Sequence, residues 1–301
     1  MLIIQELVSR RDGWLGLDVW PDAGCMTSAT NPQRLRSTPL RYASIMKLHC
    51  LGTAGYHPSE TRHTAAFFIP DYNLVLDAGT GIFRLRPLVG SKELSVLLSH
   101  AHLDHVAGLT FFWDVMSGTS LQTIRVYAEA EKIQHLQEHL FHPSLFPATP
   151  PLKWRPLGPV DQSFHIGAVR CRWFPLDHPG GSVGYRLEFP EVSLAYVTDT
   201  TARADSPYWS EIQGVDWLIH ECNFRDSEQE MAIHTGHSWT SAVLENAAKH
   251  GVKRLILTHV NPLAPEPDPM ELSAATAKLG SRTPEQILIA TDSAVIDLSR
   301  L

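Results

Sequence analysis

The sequence predicts an α/β fold in which two β-sheets pack together with helices outside, and three observations lead there. From Lys47 onward, short apolar runs of strand length alternate with turns, and several read as buried on both faces. These runs form two series, each with helical stretches, separated by a Pro-rich segment over residues 143–159. With 44% hydrophobic and 19% charged residues, a 301-residue chain can also bury a substantial core.

In the first series KLHCLG, TAAFFI, NLVLDAG, LSVLLSH and TIRVYA read as strands, whereas DHVAGLTFFWDVM and EAEKIQHLQEHL have helical spacing. The Pro-rich stretch that follows is expected to hold no regular structure. In the second series VRCRWFPL, SVGYRLEF, VSLAYVTD, DWLIHE and RLILTH read as strands and HSWTSAVLENAAKH as a helix. Residues 1–45 differ: Arg10, Arg11, Arg34, Arg36 and Arg41 lie among polar and turn residues with no sustained period of 2 or 3.6. They read as a loosely ordered N-terminal extension before a folded domain over 46–301. Met46, directly before the first strand, is a candidate for the true start.

Composition excludes several classes. No apolar run approaches the roughly 20 residues of a membrane span. The N-terminal stretch is a poor secretory signal, because Glu6 interrupts its short apolar part and Arg10 and Arg11 follow rather than precede it. A soluble, cytoplasmic protein with no membrane partner is expected. Cys25, Cys50, Cys171 and Cys222 form no C-x-x-C pair, which argues against a disulfide framework or a thiolate zinc site. A net charge of −7 supplies no global field for nucleic acid. The 16 histidines are the unusual item, and many fall at the ends of apolar runs.

The segment from Ser99 to His105, SHAHLDH, follows the apolar run LSVLLS and precedes a helical pattern, a rigid strand end opening into a loop. His100 and His102 lie two apart, so in extended chain both can face one side, while Asp104 and His105 turn toward a neighbouring point. Three imidazoles and a carboxylate suit zinc and related divalent ions. Chance would give one H-x-H-x-D-H match in about five hundred chains of this composition and length. Four such residues do not complete two metals. His178 ends RWFPLDH, Asp199 ends LAYVTD, His259 ends RLILTH, and His237 sits just before a helix. Each alone would be an ordinary capped or surface polar residue; together they favour function.

H-x-H-x-D-H with the later His, Asp and His resembles the metallo-β-lactamase superfamily over roughly residues 46–295. Within it the chain is similar to the ribonuclease Z-like branch, which includes cyclic-phosphate phosphodiesterases. LGTAGYHPSETRHTAAFFI, LVLDAGTG, HPGGSVGYRLE, YVTDTT, LIHECNF and GHSWTSAVLENAAKHGVKRLILTH carry that similarity. The resemblance implies a four-layer αββα sandwich of two mixed β-sheets with helices on the outer faces. It also implies two divalent ions, zinc first and manganese second. His100, His102 and His178 would surround one ion, Asp104, His105 and His259 the other, and Asp199 would bridge both. His237 matches a catalytic histidine that protonates a leaving oxygen, and Glu221 a carboxylate that orients it. Asp104 is counted with these two as catalytic, and Asp77 matches a position beneath the site. Second-layer groups of this kind fix the tautomer and aim of the ligands.

The expected function is a binuclear metal-dependent hydrolase, favouring a small or cyclic phosphodiester cleaved through a metal-bridging hydroxide. A lactonase or other acyl hydrolase on the same cage is the alternative, and a transfer-RNA 3′-processing endoribonuclease or a non-catalytic metal-binding module rank lower. Transfer-RNA processing members carry a long arm between the third histidine and the bridging aspartate. Asp199 follows His178 by only 21 positions here, so no transfer RNA is expected as a partner. Gly180, Gly181 and Ser182 could offer backbone N–H groups to an oxyanion, and His57 and Arg62 could approach a phosphate. His135, His139 and His142 read as a polar helix face or a lid. FFWDVM and HPSLFPATPP could form a homodimer face or a lid.

Overall fold

The structure is a computed structural model and describes residues 45–299; the expected N-terminal extension and Cys25 lie outside the described residues. The strands, in chain order, are β1 (Lys47–Gly52), β2 (Ala66–Ile69), β3 (Leu74–Leu76), β4 (Glu93–Leu97), β5 (Thr123–Ala128), β6 (Leu152–Pro156) and β7 (Phe164–Ile166), then β8 (Val169–Leu176), β9 (Ser182–Glu188), β10 (Ser193–Val197), β11 (Trp217–Glu221), β12 (Arg254–Thr258), β13 (Gln286–Ile289) and β14 (Val295–Asp297). They form two seven-stranded sheets, ordered β14-β1-β2-β3-β4-β5-β6 and β13-β12-β11-β10-β9-β8-β7. Both sheets are mixed. β3 to β6 run parallel beside an antiparallel β14-β1-β2-β3 half, and β10 to β13 run parallel beside an antiparallel β7-β8-β9-β10 half.

The period-2 pattern explains the layers. On β2 and β3, Phe67, Ile69, Leu74 and Leu76 pack into a central core with Tyr185, Leu187 and Tyr196 of the other sheet. Their sequence neighbours Phe68 and Val75 point the opposite way, into a core shared with Ile82, Leu109 and Phe112. The second sheet does the same: Ala195, Val197, Leu218 and Leu255 meet Val243 and Ala247 of the helix Thr240–Lys249. Strands buried on both faces read as continuous apolar runs, as expected here. The αββα sandwich is the result.

Several expectations need correction. DHVAGLTFFWDVM is not one helix but three short pieces, Leu103–Val106, the 3₁₀ segment Ala107–Phe111, and Phe112–Met116. The break lies where Gly108 passes over the loop carrying Gly79; a Cβ on Gly108 would sit 2.2 Å from the Gly79 carbonyl oxygen. Gly108→Ala is expected to cost about 1–3 kcal/mol by overpacking, read as a shift of the urea midpoint at unchanged slope. The Pro-rich stretch is not wholly irregular, since β6 lies inside it and pairs with β5. β7, β13, β14 and the helix Leu272–Leu279 were not expected. Among the described residues, no helix is long and apolar enough to cross a membrane. Cys50, Cys171 and Cys222 are buried and unpaired, and burial pushes the Cys50 and Cys171 thiols up to about 12.

Candidate metal centre

The parallel strands deliver the chemistry at their C-terminal ends, where α/β sheets place ligand sites. Asp77 follows β3, Ser99 and His100 follow β4, Asp199 follows β10, Glu221 ends β11 and His259 follows β12. His178 follows β8, and His237 lies between the helices Gln229–Thr235 and Thr240–Lys249. Asp77, Asp199 and His259 have positive φ (54°, 49° and 57°). That conformation costs a non-glycine residue on the order of 1–3 kcal/mol and concentrates at functional sites.

Two groups of donors converge. His100, His102, His178 and Asp199 form one; Asp104, His105, Asp199 and His259 form the other. In the first, His178 Nε2 lies 3.4 Å from His102 Nδ1, and His100 Nε2 and His178 Nε2 each lie 3.5 Å from Asp199 Oδ2. In the second, His105 Nε2 and His259 Nε2 are 3.2 Å apart, each 3.2 Å from Asp199 Oδ1 and 3.3 Å from Asp104 Oδ2. A tetrahedral cation with bonds of about 2.0–2.1 Å separates its ligand atoms by about 3.3 Å. The spacings match in both groups. Asp199 gives one carboxylate oxygen to each, the arrangement a bridging ligand needs.

Neighbouring hydrogen bonds leave the right atoms free. Asp77, fully buried, accepts from the Ser99 backbone N–H (2.7 Å), the Ser99 hydroxyl (2.7 Å), His105 Nδ1 (2.8 Å) and the Tyr196 hydroxyl (2.6 Å). The His105 proton on Nδ1 leaves Nε2 aimed at the second group. Because the Ser99 hydroxyl donates to Asp77, its oxygen accepts from His100 Nδ1 at 3.0 Å. That leaves His100 Nε2, the one buried side-chain nitrogen or oxygen with no hydrogen-bond partner among the described residues. His178 Nδ1 donates to the Gly236 carbonyl at 3.0 Å, which frees its Nε2 as well. Leaving a buried polar atom unpaired costs about 1–3 kcal/mol, so the orphan nitrogen fits a site made for a cation.

Charge reinforces the picture. Burial alone would raise the carboxyl of Asp104, but His105 and His259 beside it hold it well below the usual range. Burial likewise opposes ionisation of Asp199, and His259, His105 and His100 keep it well below normal. Burial, with neighbouring imidazoles, pushes His100 down and so favours its neutral, coordinating form. Burial also opposes charge on His105, yet Asp199, Asp104 and Asp77 raise it well above normal. A cation between these carboxylates would displace that proton.

His237 Nδ1 donates to Glu221 Oε1 at 3.0 Å. Glu221 is fully buried, and it also accepts from the N–H groups of Thr200 (3.0 Å), Asn223 (3.2 Å) and Ser238 (3.2 Å). Burial works against charge on His237, but Glu221, with Asp199 and Asp104 behind it, pushes the imidazolium up to about 9. Its ring stands 5.1 Å from that of His178 and 5.2 Å from that of His259.

The seven expected donors, with His237, Glu221 and Asp77, therefore meet there, together with two residues that sequence reasoning did not single out. Tyr196 closes the Asp77 network, and its alternating strand pattern gave only a core position. The Tyr56 backbone N–H donates to Asp104 Oδ2 at 2.8 Å. Other expectations fail. Arg62 is buried and structural, donating to Thr53 Oγ1 (2.7 Å) and the Ala290 carbonyl (2.5 Å) and pairing with Glu266, so it does not approach a phosphate. Gly181 N–H donates to the His178 carbonyl, and Ser182 pairs with Leu176 of β8 and gives its hydroxyl to the Asp199 carbonyl, so these two are not free donors. His135, Glu138 and His139 do cluster, on an exposed helical face that includes a π-helical turn over Leu136–Leu140. Trp113 of FFWDVM donates to the Ala148 carbonyl, so the two segments considered for a lid touch each other.

Comparison with known proteins agrees with this geometry. Residues 72–260 match the family described as the β-lactamase superfamily domain. A ribonuclease Z of Exiguobacterium sibiricum is 26% identical over 269 residues, spanning 72% of this chain and 89% of that one. The metallo-β-lactamase fold protein YhfI of Bacillus subtilis superposes with a TM-score of 0.70 at 21% identity, covering 84% of this chain and 98% of its own. The short form of human tRNase Z gives 0.63 at 19% identity, covering 85% and 100%. With relatives so named, the expectation that transfer RNA is not a partner finds no support. The fold implies divalent metal ions, and the chain carries the donor clusters for them. It belongs to the β-lactamase superfamily and is a hydrolase of its ribonuclease Z-like branch.

Proposed function

We propose that this hydrolase cleaves phosphodiesters with two divalent ions, zinc first and manganese second, held by His100, His102, His178, Asp104, His105, His259 and the bridging Asp199. The observation that carries the reading is the pair of donor groups sharing Asp199, with edges of 3.2–3.5 Å and one orphan buried nitrogen. Five imidazoles and two carboxylates suit zinc better than a hard oxygen-loving ion. Ions bound there would supply the positive charge that draws an anionic diester and would lower the pKa of water toward neutrality.

The chain's own residues do the rest. The carboxylates of Asp104 and Asp199 keep the pocket's net positive charge moderate, which suits a singly charged diester. Glu221 accepts a hydrogen bond from His237 Nδ1–H, and its negative charge sustains the imidazolium, whose second proton lies on Nε2. From there a proton can pass to the departing alkoxide, a poor leaving group without one. A small or cyclic diester is the favoured substrate. Between His178 and Asp199 the chain makes only β9, β10 and a tight turn in which Phe189 N–H donates to the Val192 carbonyl, with no long arm. The ribonuclease Z relatives favour a second reading, an RNA phosphodiester.

Purified protein loaded with zinc or manganese should bind two equivalents and hydrolyse bis(p-nitrophenyl) phosphate. Chelation should abolish turnover, and either metal should restore it. A loaded protein that opens a lactone run in parallel and ignores the diester would replace this reading with that of an acyl hydrolase.

A further inference from the structure

Beside the metal centre, one aromatic residue is held in an unfavourable conformation with its ring in water. Tyr56 has φ of +63° and is 79% exposed. His57 N–H donates to the Gly55 carbonyl at 2.8 Å, closing a three-residue turn around it. A γ-turn with positive φ at its centre is the rare, strained kind. Glycine or asparagine would occupy this position at less cost.

The turn is tied to the site on both sides. Tyr56 N–H donates to Asp104 Oδ2. Gly55 packs so tightly on His259 that a Cβ there would lie 2.4 Å from the imidazole ring. Gly55 N–H also donates to the Val260 carbonyl at 3.0 Å. The turn is thus fixed to two residues of the second donor group and leaves the phenol ring at the rim. The His57 ring backs it, edge-on, with centroids 5.0 Å apart. A scattered exposed tyrosine is unremarkable. Strain, exposure and a double tie to the centre together are not explained by packing.

We propose that Tyr56, supported by His57, is a stacking subsite for a flat aromatic group attached to the phosphate, with a nucleobase as the fitting chemistry. This rests on the phosphodiesterase reading and assigns the substrate's flanking group. Stacking on an aromatic side chain is indifferent to which base is present, because every base has a π-face. Tyr56 reaches the second donor group through its backbone N–H, which a glycine would keep, so the effect of its ring falls on binding of the flanking group.

The test is equilibrium binding of adenosine 5′-monophosphate and ribose 5-phosphate, which share the phosphate and differ in the base, to the metal-loaded full chain. Wild type is expected to bind the nucleotide about 5–150-fold more tightly. Tyr56→Gly, which relieves the backbone strain, should remove that preference while ribose 5-phosphate affinity stays within twofold; Tyr56→Phe should keep the preference. Equal binding of the two ligands by wild type, or a preference that survives in Tyr56→Gly, overturns the subsite. Diester turnover scores the other reading separately: turnover without a base preference keeps the phosphodiesterase and removes the subsite, whereas a Tyr56-dependent base preference without turnover does the reverse.

Discussion

His237→Ala should lower kcat on a diester with an alkoxide leaving group by about 10²–10⁴-fold while both metals stay bound, because loss of a positioned general acid has that size. His237 belongs to neither four-donor group around Asp199, so its removal should leave metal content intact. On bis(p-nitrophenyl) phosphate the loss should be much smaller, since p-nitrophenolate leaves without a proton. The sign of the pH effect follows from the imidazolium, which Glu221 pushes up to about 9 against burial. The acid form is the active one, so wild-type kcat should fall as pH rises through the group's pKa. Two bound cations would draw that pKa downward, placing the alkaline limb below 9. The mutant should lack this limb. A pH–rate profile on both leaving groups checks it, and an equal loss on the two substrates would exclude proton donation as the role.

Glu221→Gln should show the same limb displaced to lower pH, because the amide keeps the volume but removes the charge that sustains the imidazolium. Its three backbone donors, from Thr200, Asn223 and Ser238, make Glu221 a structural anchor as well. The leaving-group comparison separates the two roles.

The donors at the site were legible in the sequence because each sits where an apolar run stops. LSVLLSH, LAYVTD and RLILTH end in His100, Asp199 and His259, and in the structure these are C-terminal ends of strands in the parallel halves. The strands themselves were equally open to reading, as continuous apolar runs such as Phe67, Phe68 and Ile69, but their order within the sheets was not. What escaped were features set by distant backbone. The helix expected over 104–116 fails at Gly108, where only the approach of Gly79 reveals the constraint. β14 is a three-residue strand stabilised by pairing with β1, a partnership across the length of the domain that no local period encodes. Arg62 looked like a phosphate contact because it sits in the first loop after LGTAG; its bonds to Glu266 and Ala290 depend on chain more than two hundred positions away. The γ-turn at Tyr56 left no sign either, since tyrosine is not a residue that announces positive φ.

Asp77→Ala should be the most destabilising substitution at the site, by about 3–5 kcal/mol, while Asp77→Asn should damage metal binding more than folding. The alanine leaves the Ser99 N–H and hydroxyl, the His105 Nδ1–H and the Tyr196 hydroxyl without their shared acceptor inside the sheet sandwich. The asparagine fills the space and can still accept from the Ser99 N–H. Its amide nitrogen, however, would then occupy the place of Oδ2, facing three donors. The two hydroxyls can rotate to become acceptors. His105 has only one way to adapt, which is to move its proton from Nδ1 to Nε2, the nitrogen that faces Asp104, Asp199 and His259. That puts hydrogen where a cation would bind. An aspartate-to-asparagine change that selects the wrong histidine tautomer is a known route to large losses with geometry intact. A second-layer change of this kind typically lowers metal affinity 10–100-fold. Urea melts of the metal-free proteins, with chelator competition for zinc, separate the two effects. If the asparagine variant lost as much stability as the alanine one while keeping wild-type zinc affinity, Asp77 would be a packing residue and not the group that sets the His105 tautomer.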